Sequence, residues 1–185
     1  MGYFYFDSRD ANKQSLHDLV PSLLTQLSSR SVSCRDILSR LYEDHGNGER
    51  QPSDDLLTQC LKSMLMLSSQ HPIYLVLDAV DECPISSGIS TPRERVLQLI
   101  AELVELRLPT LHVCITSRPE IDIREFLELL PCWRVCLHDQ IGQRGDIVSY
   151  VRSVVYSDSE PIMKRWRTED KELVIEMLSG RTNGM

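Results

Sequence analysis

An α/β fold with a parallel sheet and crossover helices is predicted by three observations. The run Ile73 to Leu77 is short, continuously apolar and followed by acids. A second such run, Leu111 to Ile115, comes one helix later, and the segments between and before them carry apolar residues at helical spacing. Continuous rather than alternating apolarity is what burial on both faces demands, so Ile73 to Leu77 is expected to be a parallel strand covered by helices on each side.

Taken in order, Tyr3 to Asp7 is an aromatic run with strand propensity, ended by Ser8-Arg9-Asp10. Leu16, Leu19, Val20, Leu23, Leu24 and Leu27 predict a helix of three turns, and Ile37, Leu38 and Leu41 a shorter one broken at His45-Gly46-Asn47-Gly48. Ser53 as N-cap, with Asp54 and Asp55 in the first turn, opens a helix whose apolar face is Leu57, Leu61, Met64 and Leu65. His71-Pro72 stops it before the apolar run. Thr91-Pro92-Arg93-Glu94 is a capping box with proline at the first helical position, leading into Val96, Leu99, Ile100, Leu103 and Val104, and Pro109 closes that helix. A short helix around Phe126 and a further strand, Trp133 to His138, are expected next. Beyond Gly145 the pattern is all-helical, through Ile147, Val151 and Val155 and then Leu173, Met177 and Leu178. The predicted organisation is therefore an α/β core over residues 1–141 and a helical subdomain over 142–185.

Composition narrows the function classes. With 42% hydrophobic and 25% charged residues the chain is globular in type, and no apolar run approaches the ~20 residues of a spanning helix. A net charge of −7 argues against a general nucleic-acid binder, which presents a basic face to phosphates. The N-terminus has no basic region followed by an apolar core and a cleavage site, so a cytoplasmic location is expected. The six cysteines include no pair at the two-residue spacing of a zinc knuckle or redox motif.

The residues that carry chemistry stand at the ends of the two apolar runs. Asp78 ends the first, with Asp81 and Glu82 just beyond. Ligands of open α/β sheets bind outside the carboxyl ends of the strands, so a carboxylate at Asp78 stands at the mouth of a site, where it can hold Mg2+ against phosphate oxygens. An acid a few residues later can orient or deprotonate an attacking water. A strand that simply ends in a polar loop accounts for one Asp, and less well for three acids at this spacing. Thr116-Ser117-Arg118 ends the second run and faces the same crevice, where the planar guanidinium of Arg118 suits a phosphate.

Four segments together carry a family resemblance: Tyr3 to Asp7, Leu75 to Pro84, Ile115 to Glu120 and Gly145 to Val151. They resemble the NACHT NTPase domain of fungal signal-transduction ATPases of the STAND type, also described as a nephrocystin-like N-terminal domain. The resemblance implies a P-loop NTPase sheet entered at its second strand, a helical lid beginning at 142, and a switch controlled by ATP and Mg2+. It assigns Asp78 to the metal, Asp81 and Glu82 to water activation, and Thr116, Ser117 and Arg118 to the nucleotide, with Arg118 reading the γ-phosphate. The partners it implies are related NACHT domains or flanking effector and repeat domains, with neither nucleic acid nor membrane among them.

The chain departs from that pattern at one point. Lys13, Lys62, Lys164 and Lys171 all lack the preceding glycine of a G-x-x-x-x-G-K-[ST] phosphate loop. Three readings follow: part of an ATP-controlled signalling and oligomerisation module, inactive by itself; a catalytically dead interaction module derived from one; or a generic α/β domain whose acids are accidental.

Overall fold

The computed structural model describes residues 1–67, 72–85, 90–135, 141–157 and 163–180. Three strands, β1 (Gly2–Tyr5), β2 (Ile73–Asp78) and β3 (Leu111–Ile115), pair in parallel in the order β1-β2-β3. Between β1 and β2 run α1 (Leu16–Ser28), α2 (Val32–Asp44) and α3 (Asp54–Leu67), and α4 (Pro92–Glu105) joins β2 to β3. After β3 come α5 (Ile121–Glu128), α6 (Ile141–Val155) and α7 (Thr168–Gly180). The chain divides into two compact units, Met1–Cys132 and Trp133–Met185. Among the described residues no helix is long and apolar enough to cross a membrane.

The helix starts follow their capping chemistry. Ser15 and Asp18 form a capping box at α1, and Leu56 N–H bonds the Ser53 hydroxyl at α3. Thr91 and Glu94 close the box at α4 reciprocally: Glu94 N–H donates to Thr91 Oγ1 at 3.1 Å, and Thr91 N–H to Glu94 Oε2 at 2.9 Å. Each device satisfies backbone donors that the first turn leaves open.

The core of the first unit lies on one side of the sheet. Phe4 from β1 and Ile73, Leu75 and Leu77 from β2 are buried against Leu19 and Leu23 of α1, Leu61 and Met64 of α3, and Val96 and Ile100 of α4. Gly2 belongs to this face, where an added Cβ would stand 3.1 Å from a Leu75 methyl and 3.3 Å from one of Leu23, so the approach of β1 to α1 leaves room for no larger residue without a shift.

The opposite face corrects the expectation of two-sided cover. Tyr3 and Tyr5 of β1, Tyr74 of β2, and His112 and Cys114 of β3 are exposed, and Val76 is half-buried. The register puts Tyr3, Val76 and Cys114 in one row and Tyr74 opposite His112, whose ring it stacks on at 4.9 Å. The reason is topological. A sheet that grows in one direction, β1 to β2 to β3, through right-handed crossovers lays every connecting helix on the same side. An unbroken apolar run in the sequence does not distinguish that arrangement from a doubly covered strand.

The strand expected at Trp133 to His138 is a second difference. Residues 133–135 form no strand, Trp133 and Val135 are exposed, and 136–138 lie outside the described residues. Aromatic and β-branched residues make a strand only where a neighbouring edge and a face receive them, and high propensity alone does not supply either.

One-sided cover has a measurable consequence. Leu77→Ala is expected to cost about 2–5 kcal/mol in denaturant unfolding, as a buried leucine does, whereas Tyr74→Lys, on the bare face, is expected to cost less than about 1 kcal/mol. The Tyr74 variant should also reduce concentration-dependent association in light scattering. Equal destabilisation by the two would mean that both faces of β2 are packed.

Candidate functional site

The acid loop leaves β2 through a backbone conformation that few side chains adopt. Ala79 has φ 56° and ψ 50°, in the left-handed region, which costs a non-glycine residue about 1–2 kcal/mol. The turn is held from β3. Ala79 N–H donates to Thr116 Oγ1 at 2.9 Å, Val80 N–H to the Thr116 carbonyl at 3.0 Å, and Thr116 N–H to the Leu77 carbonyl at 3.0 Å. The Thr116 hydroxyl in turn donates to Asp78 Oδ1. Thr116 is thus the residue through which the end of β3 shapes the end of β2, and Asp78 keeps an exposed carboxylate beside a hydroxyl.

Beyond Ala79 a 3-10 turn, Val80–Glu82, presents the other two acids. Asp81 is turned inward: its side chain is 7% exposed, its Oδ1 accepts the Arg118 N–H at 3.0 Å, and its Oδ2 lies 3.5 Å from Arg118 Nε. Glu82 accepts the Ser8 N–H at 3.2 Å and lies 3.7 Å from Arg118 Nη2. Hydrogen bonds from the Ser8 side chain and N–H hold the Glu82 carboxyl below its ordinary value, with the Arg118 charge adding to them, so it is ionised at neutral pH. Arg118 itself is 68% exposed and spans both acids. The Ser117 hydroxyl donates to the Arg118 carbonyl at 2.6 Å, within its own loop.

Of the residues the sequence singles out, Asp78 therefore meets Thr116, Asp81 and Glu82 meet Arg118, and Ser117 joins neither pair. Asp81, Glu82 and Arg118 line a cleft of about 250 Å³ together with Ser8, Gln14, Arg93 and Glu120. A larger open groove of about 700 Å³ lies between α3 and α4, but its cations are already paired, Lys62 with Glu102 and Arg95 with Asp54, and none of the acid-loop residues reaches it.

Three contributors escape a reading by motif. Ser8 supplies the N–H that fixes Glu82 from the loop after β1. Cys83 is buried, its thiol donating to the Gln14 carbonyl at 2.9 Å, and burial pushes that thiol up to about 12, which leaves it unreactive at neutral pH. Arg93 is 5% exposed and bonds the carbonyls of Asp81 and Cys83. Its sequence signal is a cation in the first turn of a helix, where the macrodipole opposes positive charge.

Among the described residues no group of three His, Cys, Asp or Glu side chains could hold a metal ion by itself. Mg2+ is commonly held by one or two protein oxygens and completes its shell with water and phosphate. Asp78 and the Thr116 hydroxyl are the oxygens that the two strand ends bring together.

Comparison with known proteins yields one match. No curated protein and no solved structure matches this chain. The model of the family described as "Nephrocystin 3, N-terminal" matches residues 1–118, which run from β1 through the acid loop to Arg118. The chain belongs to the nephrocystin 3 N-terminal family.

Proposed function

We propose that this chain is the acid-bearing and sensor-bearing part of a nucleotide-controlled signalling switch of the NACHT, P-loop type found in fungal STAND ATPases, with ATP and Mg2+ as its ligands. The observation that carries the reading is the convergence at the carboxyl ends of two adjacent parallel strands: Thr116 on Asp78, and Arg118 on Asp81 and Glu82. Parallel sheets bind phosphates at that end, and the pairing of carboxylates with an exposed guanidinium suits a metal–phosphate ligand.

In this reading Asp78, with Thr116 beside it, takes the metal, which when bound neutralises phosphate charge. Glu82, ionised and partly exposed, orders the attacking water. Asp81 acts through Arg118: both its oxygens face that residue, so it presents the guanidinium rather than meeting the ligand itself. Arg118 exchanges its acid partners for phosphate oxygens, a trade favoured by the planar fork and two ionised acceptors. Ser117 stays within its loop until a ligand competes for its hydroxyl.

The phosphate cradle is the part these residues do not provide. The sequence holds no glycine-lysine loop, and three carboxylates at the strand ends, with one exposed arginine among them, repel a triphosphate. That observation favours a second reading, an interaction module without ATPase activity that packs against related NACHT domains or flanking effector and repeat domains, for which the bare tyrosine face of the sheet offers a surface.

Calorimetric titration separates the two. Residues 1–185 alone are expected to show no saturable MgATP binding, and the same chain joined behind a strand and a Gly-Lys-Ser/Thr loop is expected to bind; failure of the longer chain selects the interaction module. In that longer chain Asp78→Asn should weaken Mg2+-dependent binding about ten- to hundredfold, for the loss of a charge-assisted bond worth ~1.5–3 kcal/mol. Glu82→Gln should leave binding intact and slow hydrolysis about 10²-fold or more, the usual range for a lost general base. Identical behaviour of the two variants would refute the division of roles.

A further inference from the structure

A buried charge of the first unit lies behind the candidate site rather than in its mouth. Arg93 stands at the second position of α4, 5% exposed, and its guanidinium is engaged on three sides. Nη2 donates to the Asp81 carbonyl at 2.6 Å and Nε to the Cys83 carbonyl at 2.9 Å, so two bonds grip the 3-10 turn that carries Asp81 and Glu82. Nη1 donates to both oxygens of Asp122, at 3.1 and 3.3 Å, and lies 3.9 Å from Glu120. Asp122 and Glu120 begin α5, directly after the loop of Arg118.

One side chain from α4 therefore spans the two loops that hold the site. Asp81 is the joint between them, its carbonyl held by buried Arg93 and its carboxylate by exposed Arg118. We propose that Arg93 is a positioning residue, whose guanidinium sets the acid loop 79–84 against the start of α5 and so brings Asp81 and Glu82 to Arg118. The significance of that placement for a ligand rests on the functional reading above; the placement itself does not.

The chemistry is selective for arginine. Three acceptors in different directions around one plane match the rigid planar fork of a guanidinium, an arrangement that a lysine ammonium, a compact point charge on a flexible stem, does not reproduce. The cation also sits at the unfavourable end of a helix dipole, which the acids at the start of α5 offset. A residue there for packing alone would need none of these bonds.

Native-state amide exchange, followed by NMR in the whole chain, tests the role in Arg93→Lys, Arg93→Met and Asp122→Asn. The decisive probe is the Arg118 amide, because its acceptor is the Asp81 carboxylate. In Arg93→Lys the amides of Glu82, Cys83 and Arg118 are expected to exchange about tenfold faster or more, with Leu75 and Leu77 within about twofold of the parent. Asp122→Asn should give a smaller change at the same amides, and adding it to Arg93→Met should give no further one, since both remove the same contact. Should Arg93→Met fail to fold, the lysine and asparagine variants decide. An unchanged Arg118 amide in Arg93→Lys overturns the proposal, and so does a rise of the same factor at Leu75 and Leu77, which would mark a general loss of stability. Mn2+ broadening of signals near Asp78 in the parent chain is read separately: its absence counts against the metal reading and leaves the exchange result standing.

Discussion

The parallel register that sets Leu77 against Ile115 is the constraint on which the rest of this molecule depends. Once those residues are partners, the next positions along the two strands, Asp78 and Thr116, arrive side by side. The Thr116 backbone and hydroxyl then define the left-handed turn at Ala79. A slip of one residue would turn Leu75 and Leu77 out of the core and Asp78 into it, which the apolar contacts of α1, α3 and α4 forbid. The site is thus a consequence of packing on the far side of the same strand.

Two arginines of opposite character complete it. Arg93 is buried and satisfied by main-chain carbonyls and Asp122, so it is a fixed part of the frame. The Arg118 side chain is exposed and meets its two carboxylates through long contacts, so it can change partners at small cost. The same residue type serves as anchor and as reader, and burial decides which.

The uncovered sheet face belongs to the same account. Tyrosines at positions 3, 5 and 74 are amphipathic enough to face water without grossly destabilising the sheet, yet they leave a surface of a kind usually met at interfaces. Parallel sheets seldom remain bare on one side. What covers this one is a question of partner chemistry, whereas the core beneath it is complete without an answer.

The elements before residue 130, their caps and the acids at the strand ends were legible in the sequence, because helical spacing, capping boxes and apolar runs are local properties. Thr91 to Glu94 and the alignment of Leu16 to Leu27 illustrate this: neither needs a distant residue to be recognised. The family, too, lies in the linear order of Tyr3 to Asp7, the acid segment and Thr116 to Arg118. Tertiary structure alone decided which face of β2 is covered, since an unbroken apolar run is the same string in either case. It also decided that Asp81 is enclosed by Arg118 while Asp78 stays open, and that Arg93 reaches across two loops to hold them. These are matters of which residues meet across 10 to 40 positions of chain, and such meetings are set by strand register and crossover hand, which no local pattern encodes.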